Sequence, residues 1–249
     1  MRRPVLLVLA AALVAIAARV LPAPAASTSK HPDLGMARLS DVSLSRTGGR
    51  ARLYFSATVV NVGQRDFMLH AERATTSSVF SVVQRIGADG GGTTEVPTTA
   101  QLAFGGDGHN HWHVKDLQHY ELKRLDNGVK VGTSAKSRFC FFDNDAYRLS
   151  LPGAPQHRVH GGGGWGSTSS LTVDMGLSVG WGDTNPSTLP DQFIDVTGLT
   201  AGRYRLVATA DPDGLFVEGS ESNNVTWVDV QLNGSGPKSA EVVAYGPTA

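Results

Sequence analysis

The amino-acid sequence predicts an all-β protein: an antiparallel β-sandwich with long loops, preceded by a signal peptide. Three observations predict it. Apolar residues recur at period two or in runs of strand length, those runs end at clusters of Gly, Pro, Asn and Asp, and helical periodicity is scarce beyond the first segment.

Taken in order, the N-terminus carries Arg2 and Arg3, an apolar run from Val5 to Val20, then Leu21-Pro-Ala-Pro-Ala-Ala26. Charge, apolar stretch and small residues in that order predict a signal peptide over 1–25, cut near Ala25, and hence a secreted protein. The other reading, a membrane anchor, is disfavoured because the run falls short of the ~20 apolar residues of a span. No integral membrane span is expected after cleavage. About 220 residues then remain, enough for one large all-β domain over 26–232.

Arg52 to Val60 (RLYFSATVV) reads as a strand closed by the turn-prone Asn61-Val62-Gly63, and Ser81 to Arg85 as a short one. Gln118 to Leu125, Ser137 to Phe142 and Phe193 to Val196 follow. Gly202 to Ala208 and Asn224 to Leu232 are expected to pair antiparallel. Gly87 to Pro97 and Asn144 to Ser170, the latter holding the glycine run Gly161 to Gly164, are expected to be loops that either carry function or are plain surface excursions. The polar, Gly- and Pro-containing stretch 233–249 is expected to be a flexible tail.

Lys+Arg and Asp+Glu balance at 22 each, so no sequence-wide positive field exists to attract nucleic acid. Cys140 is the only cysteine, so the core must hold without an internal disulfide. Its phenylalanine neighbours 139, 141 and 142 suggest a small buried apolar residue.

His109, His111 and His113 alternate in Gly108-His-Asn-His-Trp-His-Val114. At every second position of a strand the three imidazoles share a face, and three neutral imidazoles suit copper, zinc, iron or nickel. In a straight strand the outer Cα atoms lie roughly 13 Å apart, so one metal requires a bend, for which Gly105, Gly106 and Gly108 are placed. Spacing leaves copper and zinc both open, as it does plain exposed histidines on a sheet face.

Read outward, GHNHWHVKDLQHYEL resembles the copper-binding stretch of the lysyl oxidase family. Lys136-Ser-Arg-Phe-Cys-Phe-Phe-Asp143 is similar to that family's Lys-x-x-Phe-Cys-x-x-Asp. Gly176 to Gly180, Asp183-Thr184, Asp191 to Asp195, Gly202-Arg-Tyr204 and Glu218 to Val225 extend the resemblance, and Pro32-Asp33-Leu34 and Phe55 to Phe67 match its start. It covers Pro32 to Leu232.

The resemblance implies a copper amine oxidase that uses molecular oxygen to convert a primary amine, protein-bound lysine or a small amine, to an aldehyde with release of ammonia and hydrogen peroxide. It implies His109, His111 and His113 as copper ligands and a lysine tyrosylquinone cofactor, with Lys136 as its lysine. The matched tyrosine position is Asn185, and an amide cannot become a quinone. Trp181, Trp112 and Tyr120 are the other aromatics to consider. His119, Asp183 and Asp116 are candidates for proton removal from the amine carbon. Asp33, the Leu34 carbonyl, Glu218, Asn223 and Asn224 match a structural calcium site of some members, with Ser220 where an acid is expected. His157 and His160 could add a ligand or be solvated loop residues.

Two functional readings remain. Lys136 favours a secreted copper amine oxidase, and Asn185 favours a non-catalytic secreted copper-binding β-sandwich for metal storage, delivery or surface docking. A zinc hydrolase is less favoured, because no carboxylate base accompanies the histidine run.

Overall fold

A computed structural model describes residues 30–105, 109–233 and 240–249. The expected signal peptide, 1–25, lies outside the described residues. The architecture is all-β and antiparallel, as the patterning predicts. Among the described residues the one helical element is a 3₁₀ turn, Gly162–Trp165.

The longest strand, β3 (Arg50–Asn61), organises the first sheet. Its N-terminal half pairs with β2 (Ser40–Thr47) and β14 (Phe193–Asp195), and its C-terminal half with β1 (Leu34–Met36) and β13 (Trp181–Asn185). β13 continues to β11 (Asp145–Ala146). β2 turns into β3 through Gly48 and Gly49 alone, with φ of +59° and +76°. A two-residue hairpin whose twist matches its strands needs positive φ at both positions, which glycine adopts without a Cβ penalty.

The second sheet runs β10 (Lys130–Thr133), β9 (Gln118–Arg124), β15 (Gly202–Ala210), β16 (Val225–Leu232) and β17 (Ala240–Tyr245). The expected β15–β16 pair forms in continuous register from Gly202 opposite Leu232 to Thr209 opposite Val225. A third sheet orders β12 (Thr172–Leu177), β4 (Phe67–Glu72), β5 (Ser81–Gly87) and β6 (Thr93–Pro97), and a two-stranded ribbon joins β7 (Leu102–Phe104) to β8 (Trp112–Val114).

The sheets enclose one core. Leu53, Phe55 and Val59 of β3 face Tyr120 and Leu122 of β9 and Tyr204 and Leu206 of β15, all essentially inaccessible to water. Phe55 meets Tyr120 edge-on at 4.9 Å, and Phe67 meets Phe141 and Phe216 at 4.6 and 5.0 Å. Burial of such side chains contributes about 1.5–3 kcal/mol each, which is how this core holds without a disulfide.

Three local expectations need correction. Residues 93–97, expected in a loop, form the edge strand β6 after a turn at Gly90–Gly92. Being mostly exposed, β6 has no apolar period to read. Residues 137–142, expected as a strand, make one bridge, Val114 to Phe139, and put Phe139 and Phe141 into the core. The tail is not frayed where described, since β17 completes the second sheet and Ala249 is buried against Met36 and Tyr147.

Candidate metal centre

The three histidines gather at the start of β8. Only residues 112–114 are strand, and the chain bends through 109–111 instead of running straight. Gly105, at φ +66°, closes the bend by donating its N–H to the His111 carbonyl at 2.9 Å, while Arg138 binds the Gly105 carbonyl at 2.9 Å. Trp112 projects to the opposite side. It packs on Phe80 and Phe104 at 4.9 and 5.3 Å, lies 4.9 Å beneath the Arg73 guanidinium, and donates its indole N–H to Ser167. One face of β8 is thereby pinned, and the other presents imidazoles.

The ligand atoms of His109, His111 and His113 lie within 4.8 Å of one another, and they are the one such His/Cys/Asp/Glu group among the described residues. His109 Nδ1 and His113 Nε2 are 3.4 Å apart. His113 is buried and the other two are half-buried. Trp165, which the sequence did not single out, packs on His111 with centroids 4.4 Å apart and the rings tilted by 40°. Its indole N–H donates to the Phe141 carbonyl at 3.1 Å, and Phe142 packs on its edge. The glycine run is therefore an ordered strap that delivers Trp165 to the histidines. The strap is anchored by His160, whose imidazole lies 3.2 Å from Asp66 and whose backbone N–H donates to Asp143. Burial lowers the His160 pKa, but the Asp66 hydrogen bond and the charges of Asp66 and Asp143 more than offset it, leaving a net rise. His157 is exposed, and neither it nor His160 joins the triad.

Lys136 is buried on the segment running beside β9, its N–H bonded to Ser134. Its charge acts on Asp183 of β13, whose carboxylate also accepts from Asn144 at 3.2 Å. Burial nonetheless raises the Asp183 pKa well above its ordinary value. Two residues along β13, Asn185 donates to Gln118 Oε1 at 2.8 Å, and that same oxygen accepts the Tyr120 hydroxyl. Burial pushes the Tyr120 phenol far up, against the hydrogen bonds of Gln192 and Asn185. His119 alternates with inward Gln118 and Tyr120 and so lies on the outer face of β9, beside Glu121. Asp116 is exposed in the preceding turn, at φ +55°. Trp181 is committed to the Pro155 carbonyl.

A second cluster forms where β1 meets the 211–224 segment. Leu34 N–H donates to Glu218 at 2.6 Å, Asn223 to Asp33 at 3.1 Å, and Asn224 to Glu221 at 2.9 Å. Burial, then the charges of Glu221 and Asp211, drive Glu218 up to about 9. Asp33, Asp211 and Glu221 are also raised, burial leading in each case. Asp211 and Glu221 join the cluster without having been among the residues matched to the calcium site.

A cavity of about 550 Å³ lies on the Trp112 side, lined by Arg73, Phe80 and Leu102 among others. No carboxylate lines it, so it offers no counter-charge to a primary ammonium.

An antiparallel β-protein with three clustered imidazoles falls in the class of chains that could hold a metal ion. This chain belongs to the lysyl oxidase family, whose model matches residues 91–242, more than half its length. Similar relatives include protein-lysine 6-oxidase of Gallus gallus, 28% identical over 127 residues, covering 51% of this chain and 27% of the relative. Lysyl oxidase homolog 1 of Homo sapiens is 28% identical over 129 residues, covering 51% and 20%. Lysyl oxidase homolog 2 of Xenopus laevis is 25% identical over 197 residues, covering 78% and 20%. The chain thus spans little more than a quarter, or less, of these relatives' own length.

The family implies copper and a lysine tyrosylquinone. Copper suits the imidazole donor set. The quinone does not suit the matched positions, because residue 185 is an amide bonded to Gln118.

Proposed function

We propose that this chain is a secreted, copper-dependent oxidase of lysyl oxidase type acting outside the cell on primary amines, with His109, His111 and His113 holding the copper. The observation that carries the reading is the convergence of three imidazole donors in a chain of this family. Copper, when bound, supplies one-electron exchange with molecular oxygen. The protein's own part is to bind and to manage protons. Asp183, a buried carboxyl set beside Lys136, is the group proposed to handle the amine proton, in preference to outward-facing His119 or exposed Asp116. The products are the aldehyde, ammonia and hydrogen peroxide.

Asn185 supports a second reading, a copper-binding protein without amine oxidation. Asp33, Leu34, Glu218, Asn223 and Asn224, joined by Glu221 and Asp211, are proposed to bind calcium, whose charge would relieve their mutual repulsion.

The test is copper loading followed by amine addition, read as peroxide, with phenylhydrazine and intact mass in parallel. Amine-dependent peroxide with a hydrazone band supports the oxidase and directs attention to Tyr120, Trp181 and Trp112. Stoichiometric copper with neither signal overturns it in favour of the second reading.

A further inference from the structure

Arg73 carries a permanent charge, is only 9% exposed, and forms no ion pair among the described residues. The backbone puts it there. Its main-chain N–H donates to the Leu171 carbonyl at 2.9 Å, which lays the side chain over the turn before β12. Nε, Nη1 and Nη2 donate to the carbonyls of Ser170, Thr76 and Thr168 at 2.8, 2.8 and 2.6 Å. Of the five guanidinium N–H bonds, two are left without a protein acceptor among the described residues. The guanidinium carbon stands 4.6 Å from the centre of the Phe80 ring and 4.9 Å from that of Trp112, and all three side chains line the cavity of about 550 Å³.

We propose that this cavity binds a small carboxylic acid with an apolar body, its carboxylate seated on Arg73 and its body against Phe80, Val82 and Leu102. Trp112 lies between the cavity and the imidazoles on the opposite face of β8, so binding here requires no metal.

Charge selects the occupant. Arg73 is the only ionisable side chain among the described residues of the lining. Carbonyl dipoles and ring faces hold this buried cation without the full counter-charge that a carboxylate brings, and a guanidinium fork matches two carboxylate oxygens. An ammonium is repelled, and a neutral molecule leaves the charge uncompensated. Size and lining agree. The volume of about 550 Å³ falls within the roughly 300–1,000 Å³ of small-molecule sites, with a largely apolar wall and few polar anchors. Exposed Thr76, Ser77 and Thr99 put hydroxyls at its mouth.

The purified protein, in chelator, is titrated by calorimetry with phenylpropionate and, separately, with phenylpropanol and phenylpropylamine, which keep the body and change the head group. The acid is expected to bind with a Kd under about 1 mM and at least about tenfold more tightly than the alcohol, with the amine weaker still. Arg73→Gln, checked for folding by circular dichroism, is expected to weaken the acid at least about tenfold and to erase its advantage over the alcohol. Because Arg73 also ties two turns together, Thr99→Phe serves as a second variant: it fills the mouth from an exposed position and is expected to lose the acid while staying folded. Acid and alcohol binding equally well, or no binding of the acid, overturns the proposal. So does a folded Arg73→Gln or Thr99→Phe variant that binds the acid as wild type does.

Discussion

Asn185 on β13 donates its side-chain amide to Gln118 on β9 at 2.8 Å, and the accepting oxygen also takes the hydroxyl of Tyr120. The position that the family resemblance matches to the quinone tyrosine therefore forms part of a buried amide–phenol cluster between two sheets. Asn185→Leu is expected to destabilise the fold by about 1–3 kcal/mol, the cost of withdrawing a buried hydrogen-bond partner, read by urea denaturation. A variant as stable as wild type would show that the cluster contributes nothing.

His113 is the buried member of the triad and sits in strand register opposite Ala103, so its ring is the best fixed of the three. Loss of a direct ligand should exceed the effect of losing a supporting residue, so His113→Ala is expected to weaken copper binding by about 100-fold or more. Competition with a coloured chelator measures it, and unchanged affinity would remove the triad from consideration.

Burial and the charges of Glu221 and Asp211 push Glu218 up to about 9. A carboxyl whose folded pKa is raised costs stability increasingly as pH rises from the unfolded pKa toward the folded one. Glu218→Gln should therefore match wild type near pH 4.5 and gain on it up to pH 9, by up to about 3 kcal/mol at pH 7 without calcium. Added calcium should stabilise wild type and not the variant. Calorimetry across this range checks the sign, and a variant less stable at pH 7 in chelator would contradict it.

His160 is the opposite case. Its folded pKa is raised by Asp66 and Asp143 despite burial, so its contribution is fully present below the unfolded pKa and is lost as pH rises through the folded one. Asp66→Asn is expected to cost ~0.5–1 kcal/mol at pH 5 and less at pH 8, the pair being partly solvent-screened. Amide exchange should quicken through Gly161 to Gly166, because His160 anchors the strap carrying Trp165. Exchange unchanged at pH 5 would show that the strap is held elsewhere.

The alternation in Arg52 to Val60, Gln118 to Leu125 and Gly202 to Ala208 was legible because each strand has one wet and one dry face, and period two records that directly. β6 and β17 were not, since edge strands with largely exposed side chains carry no such record. The histidine triplet stood out because its donors are adjacent in the chain.

By itself the sequence determined the all-β class, the imidazole triplet and its family, and the amide at residue 185. Local periodicity and residue chemistry are properties of the chain alone. Only the tertiary structure decided that Trp165 lies on His111, that Cys140 meets His111, that Asp183 shares the Lys136 charge while His119 faces outward, and that Asp211 and Glu221 join Glu218. Each of these contacts joins residues from separate segments, and their distances come from sheet pairing and core packing, which no short window of sequence encodes.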